Sequence, residues 1–148
     1  MTKQLKAIVV GAVSPLGGPS YFSSEARNVT ILAPSAPVKG WSDGAFADGG
    51  GTSHAQPQVA GAIANVLAYL PGITHVELKI LISNTAIKTI NAFEPTKLNG
   101  AGTLNAYKMA LIAHYLSSNW PQNREQLHDL KTYDQGELAH KVLIRLDI

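Results

Sequence analysis

Hydrophobic residues near the start of the chain fall into two short runs. Residues 7–13 are apolar without alternation, and residues 29–34 form a second run that ends at Pro34. A short continuous run of this kind is typical of a strand covered on both faces, as in a parallel sheet. Residues 14–20, between the two runs, are rich in glycine and proline and predict a loop. The pattern therefore predicts two buried strands.

A longer apolar segment, residues 59–70, is hydrophobic around most of a helical circumference, which predicts an interior helix. Pro57 is tolerated in a helix only near its start, so we expect the helix to begin within residues 52–56. The Pro71-Gly72 pair predicts its end. Small residues along this helix would allow close packing against a sheet: Ala60, Gly61, Ala64 and Ala68.

The segments on either side of this helix are less apolar. Residues 35–48, which precede it, predict a solvated loop. Two carboxylates in that loop, Asp43 and Asp48, could approach a cation, but two such groups alone do not define a site. After the helix, Thr74 is placed to cap a second helix, and Glu77 three residues later completes a capping box.

Composition narrows the class of protein. The chain has 148 residues, 45% of them hydrophobic and 15% charged, which suits one domain with a largely buried α/β core. Its 12 Lys and Arg residues are scattered, so the net charge of +2 predicts no nucleic-acid partner. Cysteine is absent, which excludes disulfides and thiolate metal sites. No apolar run is long enough for a membrane span, and the polar residues 1–6 do not resemble a signal peptide.

The candidate chemistry lies where the long helix should begin. Three consecutive glycines, residues 49–51, precede Thr52 and Ser53. A serine at this position lies near the free backbone N–H groups and the positive end of the helix dipole. A nucleophile whose attack creates an oxyanion needs that setting. The alternative is that Thr52 or Ser53 only caps a buried helix.

The whole motif resembles the serine motif of the subtilisin-like serine proteases, the subtilases. The matching residues are Gly51-Thr52-Ser53, then Pro57, then Val59-Ala60-Gly61. The resemblance implies that Ser53 is the nucleophile and that Thr52 and Gly51 support the oxyanion. It also implies an α/β fold, namely the C-terminal portion of a subtilisin-like three-layer fold with a mostly parallel sheet and a buried central helix starting at the serine.

Other parts of the chain occur in the order typical of the same family. A Val-Gly-Ala strand precedes the Phe22-Ser23-Ser24 turn, a strand ends in Ala33-Pro34, and a Gly-x-Gly turn at residues 100–102 precedes a final helix. That helix would hold Tyr107, Met109, Ile112 and Ala113. The resemblance covers residues 1–110, and residues 111–148 form an unmatched tail that we expect to be helical. The tail histidines suit no metal motif: His114, His128 and His140.

The residues that should activate Ser53 are missing from this chain. A serine hydroxyl needs a positioned base, which a third group orients. In the subtilases the order is Asp, His, Ser, yet no histidine precedes Ser53. The family's catalytic Asp, its His and its oxyanion-hole Asn therefore have no counterpart. His54 is adjacent, but successive helical side chains diverge by about 100°, so it should not reach the hydroxyl. His75 would emerge at the far end of the helix.

These observations lead to two hypotheses. The first is a serine endopeptidase acting on polypeptides through an acyl-enzyme on Ser53, active only beside the missing N-terminal part of the catalytic domain. The second is a non-catalytic remnant that binds or assembles. An esterase of another fold is disfavoured because Ala55 stands at the position of the second glycine in the Gly-x-Ser-x-Gly motif of such enzymes.

Departures from the family pattern limit what the resemblance implies. Gly50 and Gln58 stand where the family often has Asn and His. Calcium is common in the family, but Asn28 and Thr30 stand where acidic ligands often occur, so no cofactor is predicted. The resemblance implies a secreted parent protein, while nothing within these residues shows export.

Overall fold

The two apolar runs form the parallel pair of strands that they predict. The computed structural model describes residues 7–15, 20, 29–35, 38–88 and 100–132. In it β1 (Val10–Val13) pairs in parallel with β2 (Ile31–Pro34), with Val10 opposite Ile31. Both strands are largely buried, which is why their sequences do not alternate. The Phe22-Ser23-Ser24 turn lies outside the described residues.

The sheet continues beyond β2 through a segment that follows the Gly-x-Gly turn. Leu32 N–H donates to the Gly102 carbonyl at 2.8 Å, and Leu104 N–H donates to the Leu32 carbonyl at 2.8 Å. On its other side this segment exchanges two 2.8 Å hydrogen bonds between Thr103 and Ile87. The turn therefore does more than start a helix, because it places a further extended segment beside β2.

Residues 35–48 do not form the solvated loop that we predicted, and this expectation is wrong. They contain an antiparallel hairpin of β3 (Val38–Ser42) and β4 (Ala45–Gly49). The Asp43-Gly44 pair makes the turn with φ values of 51° and 80°, the left-handed conformation that a two-residue hairpin requires. Asp43 therefore lies at the tip, while Asp48 lies near the base and pairs with Lys39 at 2.8 Å. The two carboxylates are at opposite ends of β4 and form no common cation site.

The long helix, α1 (Thr52–Tyr69), begins inside the predicted window and ends just before the Pro71-Gly72 pair. It lies against β1, β2 and a later helix, α3 (Ala106–Ser117). The described residues cover only one side of α1, where Ala55, Val59 and Val66 are buried. The other side is exposed, because the part of the chain that the structure describes supplies only one of the two layers that such an apolar helix needs.

The second helix, α2 (His75–Thr85), has the predicted capping box, and it anchors the segment after α3. Glu77 N–H donates to the Thr74 hydroxyl at 3.2 Å, and Thr74 N–H donates to the Glu77 carboxylate at 2.8 Å. Arg124 begins a 3₁₀ helix, Arg124–Thr132, and its Nε donates to Glu77 at 2.8 Å. The proposed boundary at residue 110 falls within α3. Trp120 Nε1 donates to the Pro71 carbonyl at 2.8 Å, so the described part of the tail packs on the body.

Because of Glu77, the stability of the chain should fall at acid pH. Burial raises the pKa of this carboxyl, but hydrogen bonds from Thr74 and the Arg124 guanidinium outweigh burial and hold the pKa below its usual value. The stabilisation is therefore present above the unfolded-state pKa and is lost as pH falls through the lower folded-state pKa.

We expect Glu77→Gln to lower the free energy of unfolding at pH 7 by about 1 kcal/mol, since an amide weakens both the cap and the ion pair. The measurement is urea unfolding at pH 7 and pH 3, with exposed Glu125→Gln as the matched control. The difference between Glu77→Gln and the parent should shrink at pH 3. An equal difference at both pH values would contradict the assigned role.

Candidate active site

Ser53 is the second residue of α1 and is exposed. Among the described residues, its hydroxyl and its N–H have no hydrogen-bond partner. Its backbone lies in the first turn, where the N–H groups have no carbonyl four residues earlier to bond to. The hydroxyl is therefore accessible beside the positive end of an 18-residue helix.

The glycine turn before Ser53 adopts a conformation that other residues rarely take. Gly51 is the N-cap residue with φ 116° and ψ 160°, and no side chain caps the helix. The alternative, in which Thr52 or Ser53 serves only as a side-chain cap, is therefore not what the structure shows. A Cβ at Gly51 would lie 3.5 Å from the Ser53 Oγ, so the absence of a side chain keeps that flank of the hydroxyl open.

His54 is directed to the base of the hairpin. A Cβ on Gly49 would lie 3.0 Å from both Cδ2 and Cε1 of the imidazole and would overlap its Nε2. This contact agrees with the expectation that the His54 side chain diverges from that of Ser53. His54 is thus a neighbour of the serine along the chain, and its ring packs against β4.

Other described histidines lie far from Ser53. The His114 ring meets the Tyr69 ring edge to face, with 4.9 Å between centroids. Tyr69 is the last residue of α1, about 24 Å from Ser53 at 1.5 Å per residue. His75 begins α2 beyond that same end, and His128 lies in the 3₁₀ helix that packs on α2. His140 lies outside the described residues.

The exposed side of α1 begins at Ser53 itself. Residues at intervals of three or four share one face of a helix. Starting at Ser53, these intervals lead to four exposed residues: Pro57, Ala60, Ala64 and Ala68. We call this set, together with Ser53, the serine stripe. The candidate nucleophile and the uncovered apolar surface of α1 are therefore parts of one face.

No described set of three or more His, Cys, Asp or Glu residues is arranged to hold a metal ion. Thr30, one of the two positions considered for calcium, instead accepts a 3.1 Å hydrogen bond from Val9 N–H through its Oγ1. Asn28 lies outside the described residues. Within the described part of the chain no helix has the length and apolar character to cross a membrane.

Ser53 thus lies at the N-terminus of a helix, directly after a glycine turn, and this helix packs on a parallel pair of strands. Comparison with known proteins identifies the family. Residues 2–109 match the model of the subtilase family. The chain therefore belongs to the subtilase family.

Individual relatives agree with this assignment. Subtilisin Savinase from Lederbergia lenta is 34% identical over 101 residues, which cover 68% of this chain and 36% of that protein. Subtilisin E from Bacillus subtilis is 31% identical over 112 residues, which cover 73% of this chain and 28% of that protein. The chain thus spans about a third of the length of these relatives.

Solved structures show the same fold. The patellamide maturation protease PatA superposes with a TM-score of 0.62 at 27% identity, over 74% of this chain and 43% of that chain. MycP1 without its N-terminal propeptide superposes with a TM-score of 0.55 at 22% identity, over 76% of this chain and 36% of that chain. The predicted α/β, subtilisin-like fold class is therefore confirmed.

The sequence analysis missed the hairpin that leads into the serine turn. Its signal was present, because an Asp-Gly pair between residues of alternating character is a strong indication of a two-residue hairpin. The hairpin carries Trp41 and Phe46 in a cross-strand pair, with 5.1 Å between ring centroids. It also supplies Gly49, the contact of His54.

Proposed function

We propose that Ser53 is the nucleophile of a subtilisin-type serine endopeptidase, and that this sequence completes the catalytic domain together with the N-terminal part of that domain, which the experiments below supply as a separate complementing chain. The complementing chain is the upstream part of a subtilase catalytic domain, which carries the Asp, the His and the oxyanion-hole Asn. The serine stripe carries this proposal, because a polypeptide layer that covers Ala60, Ala64 and Ala68 lies along the same face as the Ser53 hydroxyl. The secreted location implied by the family resemblance is part of the same proposal.

The reaction is peptide-bond hydrolysis in two steps. Ser53 Oγ attacks the scissile carbonyl carbon while the histidine of the complementing chain takes the hydroxyl proton. The C–N bond then breaks, the proton passes to the leaving amine, and an ester remains on Ser53. Water hydrolyses this ester with the same base. Ser53 N–H and the Thr52 hydroxyl stabilise the oxyanion, together with the Asn of the complementing chain.

The isolated chain should be inactive, because no histidine in the described part of the chain lies where it could take the proton of Ser53. Loss of the base in subtilisin lowers turnover on the order of 10⁶-fold, about 8 kcal/mol of barrier. The exposed hydroxyl and the helix N-terminus do not replace that contribution. Activity should therefore be a property of the assembled domain.

The experiment that tests the proposal is complementation. The chain, the complementing chain and their 1:1 mixture are each assayed with casein and with a fluorogenic peptide. We expect hydrolysis only in the mixture. A stable 1:1 complex without hydrolysis would instead support the alternative, a non-catalytic remnant that acts as a binding or assembly domain.

Ala64 provides a test of the surface that the complementing chain covers. Ala64 is exposed on α1, so Ala64→Lys should leave the thermal unfolding midpoint of the isolated chain within about 2 °C. In the complex the same ammonium group would be desolvated at a cost of several kcal/mol, which weakens assembly at least about 100-fold.

The measurement is the dissociation constant of the two chains, obtained by titration calorimetry. Ala45→Lys is the matched control, because Ala45 is also exposed but lies on the hairpin, away from the serine stripe. Equal affinities for the Ala64 variant and the parent chain would show that the stripe is not the assembly surface.

A further inference from the structure

The contact between His54 and Gly49 joins the hairpin to the helix that carries Ser53. Gly49 ends β4, and α1 begins three residues later. The imidazole occupies the space that a side chain at residue 49 would fill, with Cδ2 and Cε1 3.0 Å from the position of a Cβ. Gly49 does not have a positive φ, so its backbone conformation is open to other residues. The space taken by the His54 ring is what excludes a side chain there.

Backbone contacts tie residue 54 to two other parts of the site. His54 N–H donates to the Gly51 carbonyl at 2.9 Å, which closes the glycine turn. Gln58 Nε2 donates to the His54 carbonyl at 3.0 Å and to the Pro34 carbonyl at the end of β2. The first turns of α1 therefore contact the ends of both strands, β4 through the His54 ring and β2 through the Gln58 side chain.

The His54 ring is held mainly by its shape. Its Nδ1 is buried, and no group in the described part of the chain forms a hydrogen bond with it. No hydrogen bond from the described residues to Nδ1 therefore orients the ring. Its orientation is set by packing against Gly49. Ser53 Oγ also has no described hydrogen-bond partner, so the backbone of residues 51–54 sets where the Ser53 Cβ lies and which staggered positions the oxygen can take.

We propose that His54 is a positioning residue for Ser53: its imidazole, packed into the side-chain space of Gly49, fixes the glycine turn against α1 and thereby places the nucleophile. This inference rests on the proposed role of Ser53. A displacement of about 1 Å at a reacting atom can slow a reaction about 100-fold, so a loosened turn should be visible in the rate of acylation.

The test is a double-substitution cycle read by a fluorophosphonate. In the labelling step Ser53 Oγ forms a bond to phosphorus, the P–F bond breaks, fluoride leaves, and the base of the complementing chain takes the hydroxyl proton. Labelling is followed in the assembled complex at a temperature below the unfolding midpoint of every variant. The maximal rate and the reagent concentration at half-maximal rate are measured separately.

We expect Gly49→Ala and His54→Ala each to lower the maximal labelling rate about 10- to 100-fold, with little change in the half-maximal concentration. In the chain that already carries His54→Ala, the added Gly49→Ala should cost less than about twofold, because the methyl group enters the vacated space. Gly40→Ala is the matched control, since a Cβ at Gly40 in β3 has no atom within 4 Å and should leave the rate unchanged.

Three outcomes would overturn this proposal. Labelling of the single variants at the parental rate would show that the ring does not position Ser53. Additive effects of the two substitutions would show that they do not act through one contact. Failure of the unsubstituted complex to label at all would overturn the proposed function itself and, with it, this role of His54.

Discussion

Ser53→Ala is expected to abolish peptide hydrolysis by the assembled domain, with a fall in turnover on the order of 10⁶-fold. The reason is that the acyl-enzyme requires an oxygen nucleophile at this position, and a methyl group cannot form the ester. The residual rate would come from oxyanion stabilisation and substrate binding alone. The fluorogenic peptide assay measures the effect, with Thr52→Ser as the neighbouring control because it keeps a hydroxyl at residue 52.

The affinity of the two chains for each other should be unchanged by Ser53→Ala, because the substitution only shortens one exposed side chain. Turnover by the Ser53 variant within tenfold of the parent would show that another residue performs the chemistry. Loss of assembly together with activity would show that Ser53 is instead part of the contact surface.

Gly102→Ala is expected to cause a large loss of stability, because an added Cβ meets both an unfavourable backbone conformation and backbone atoms of a neighbouring segment. Gly102 has φ 125°, a conformation that side chains disfavour by about 1–3 kcal/mol. A Cβ there would overlap the Ile87 carbonyl oxygen and lie 3.3 Å from the Lys88 Cα. These are backbone atoms, and moving them disturbs the Thr103–Ile87 hydrogen bonds that extend the sheet.

The expected total is about 4 kcal/mol, the sum of backbone strain and overpacking. Urea unfolding of the full chain, alone and in the complex, measures this loss of stability.

Two further glycine substitutions serve as controls that separate backbone strain from steric overlap. Gly72 has a positive φ of 77°, but a Cβ there would have no atom within 4 Å. Gly72→Ala should therefore lower the free energy of unfolding by about 1 kcal/mol through backbone strain alone. Gly61 lies within α1, and a Cβ there would also have no atom within 4 Å. Gly61→Ala should therefore raise the free energy of unfolding by about 0.5–1 kcal/mol, because alanine favours a helix over glycine. Equal costs for the Gly102 and Gly72 variants would contradict the steric argument.

Local interactions explain what the sequence predicts well. The capping box of Thr74 and Glu77 needs only residues three apart, and the structure forms both of its hydrogen bonds. The start of α1 follows from the tolerance of Pro57 near a helix N-terminus. Continuous apolar runs likewise suffice for β1 and β2, because strands covered on both faces lack alternation.

Contacts between distant residues explain what the sequence does not predict. The pairing of Thr103 with Ile87 and Leu32 depends on how three segments meet, and no local pattern specifies it. The fit of the His54 ring beside Gly49 depends on the hairpin, which the loop prediction missed. The sequence of α1 is apolar around most of the helix, but the second layer that such a helix requires does not come from the described residues.

The central claim is that Ser53 becomes reactive only when the complementing chain covers Ala60, Ala64 and Ala68 of the serine stripe and brings its histidine to the Ser53 hydroxyl. Its most direct test is fluorophosphonate labelling followed by peptide mapping of this chain. The account predicts one label on Ser53 in the mixture, and none with this chain alone or with a complementing chain that lacks its catalytic histidine. Labelling of Ser53 at the same rate in all three samples, or a label in the mixture on any other residue, would contradict it.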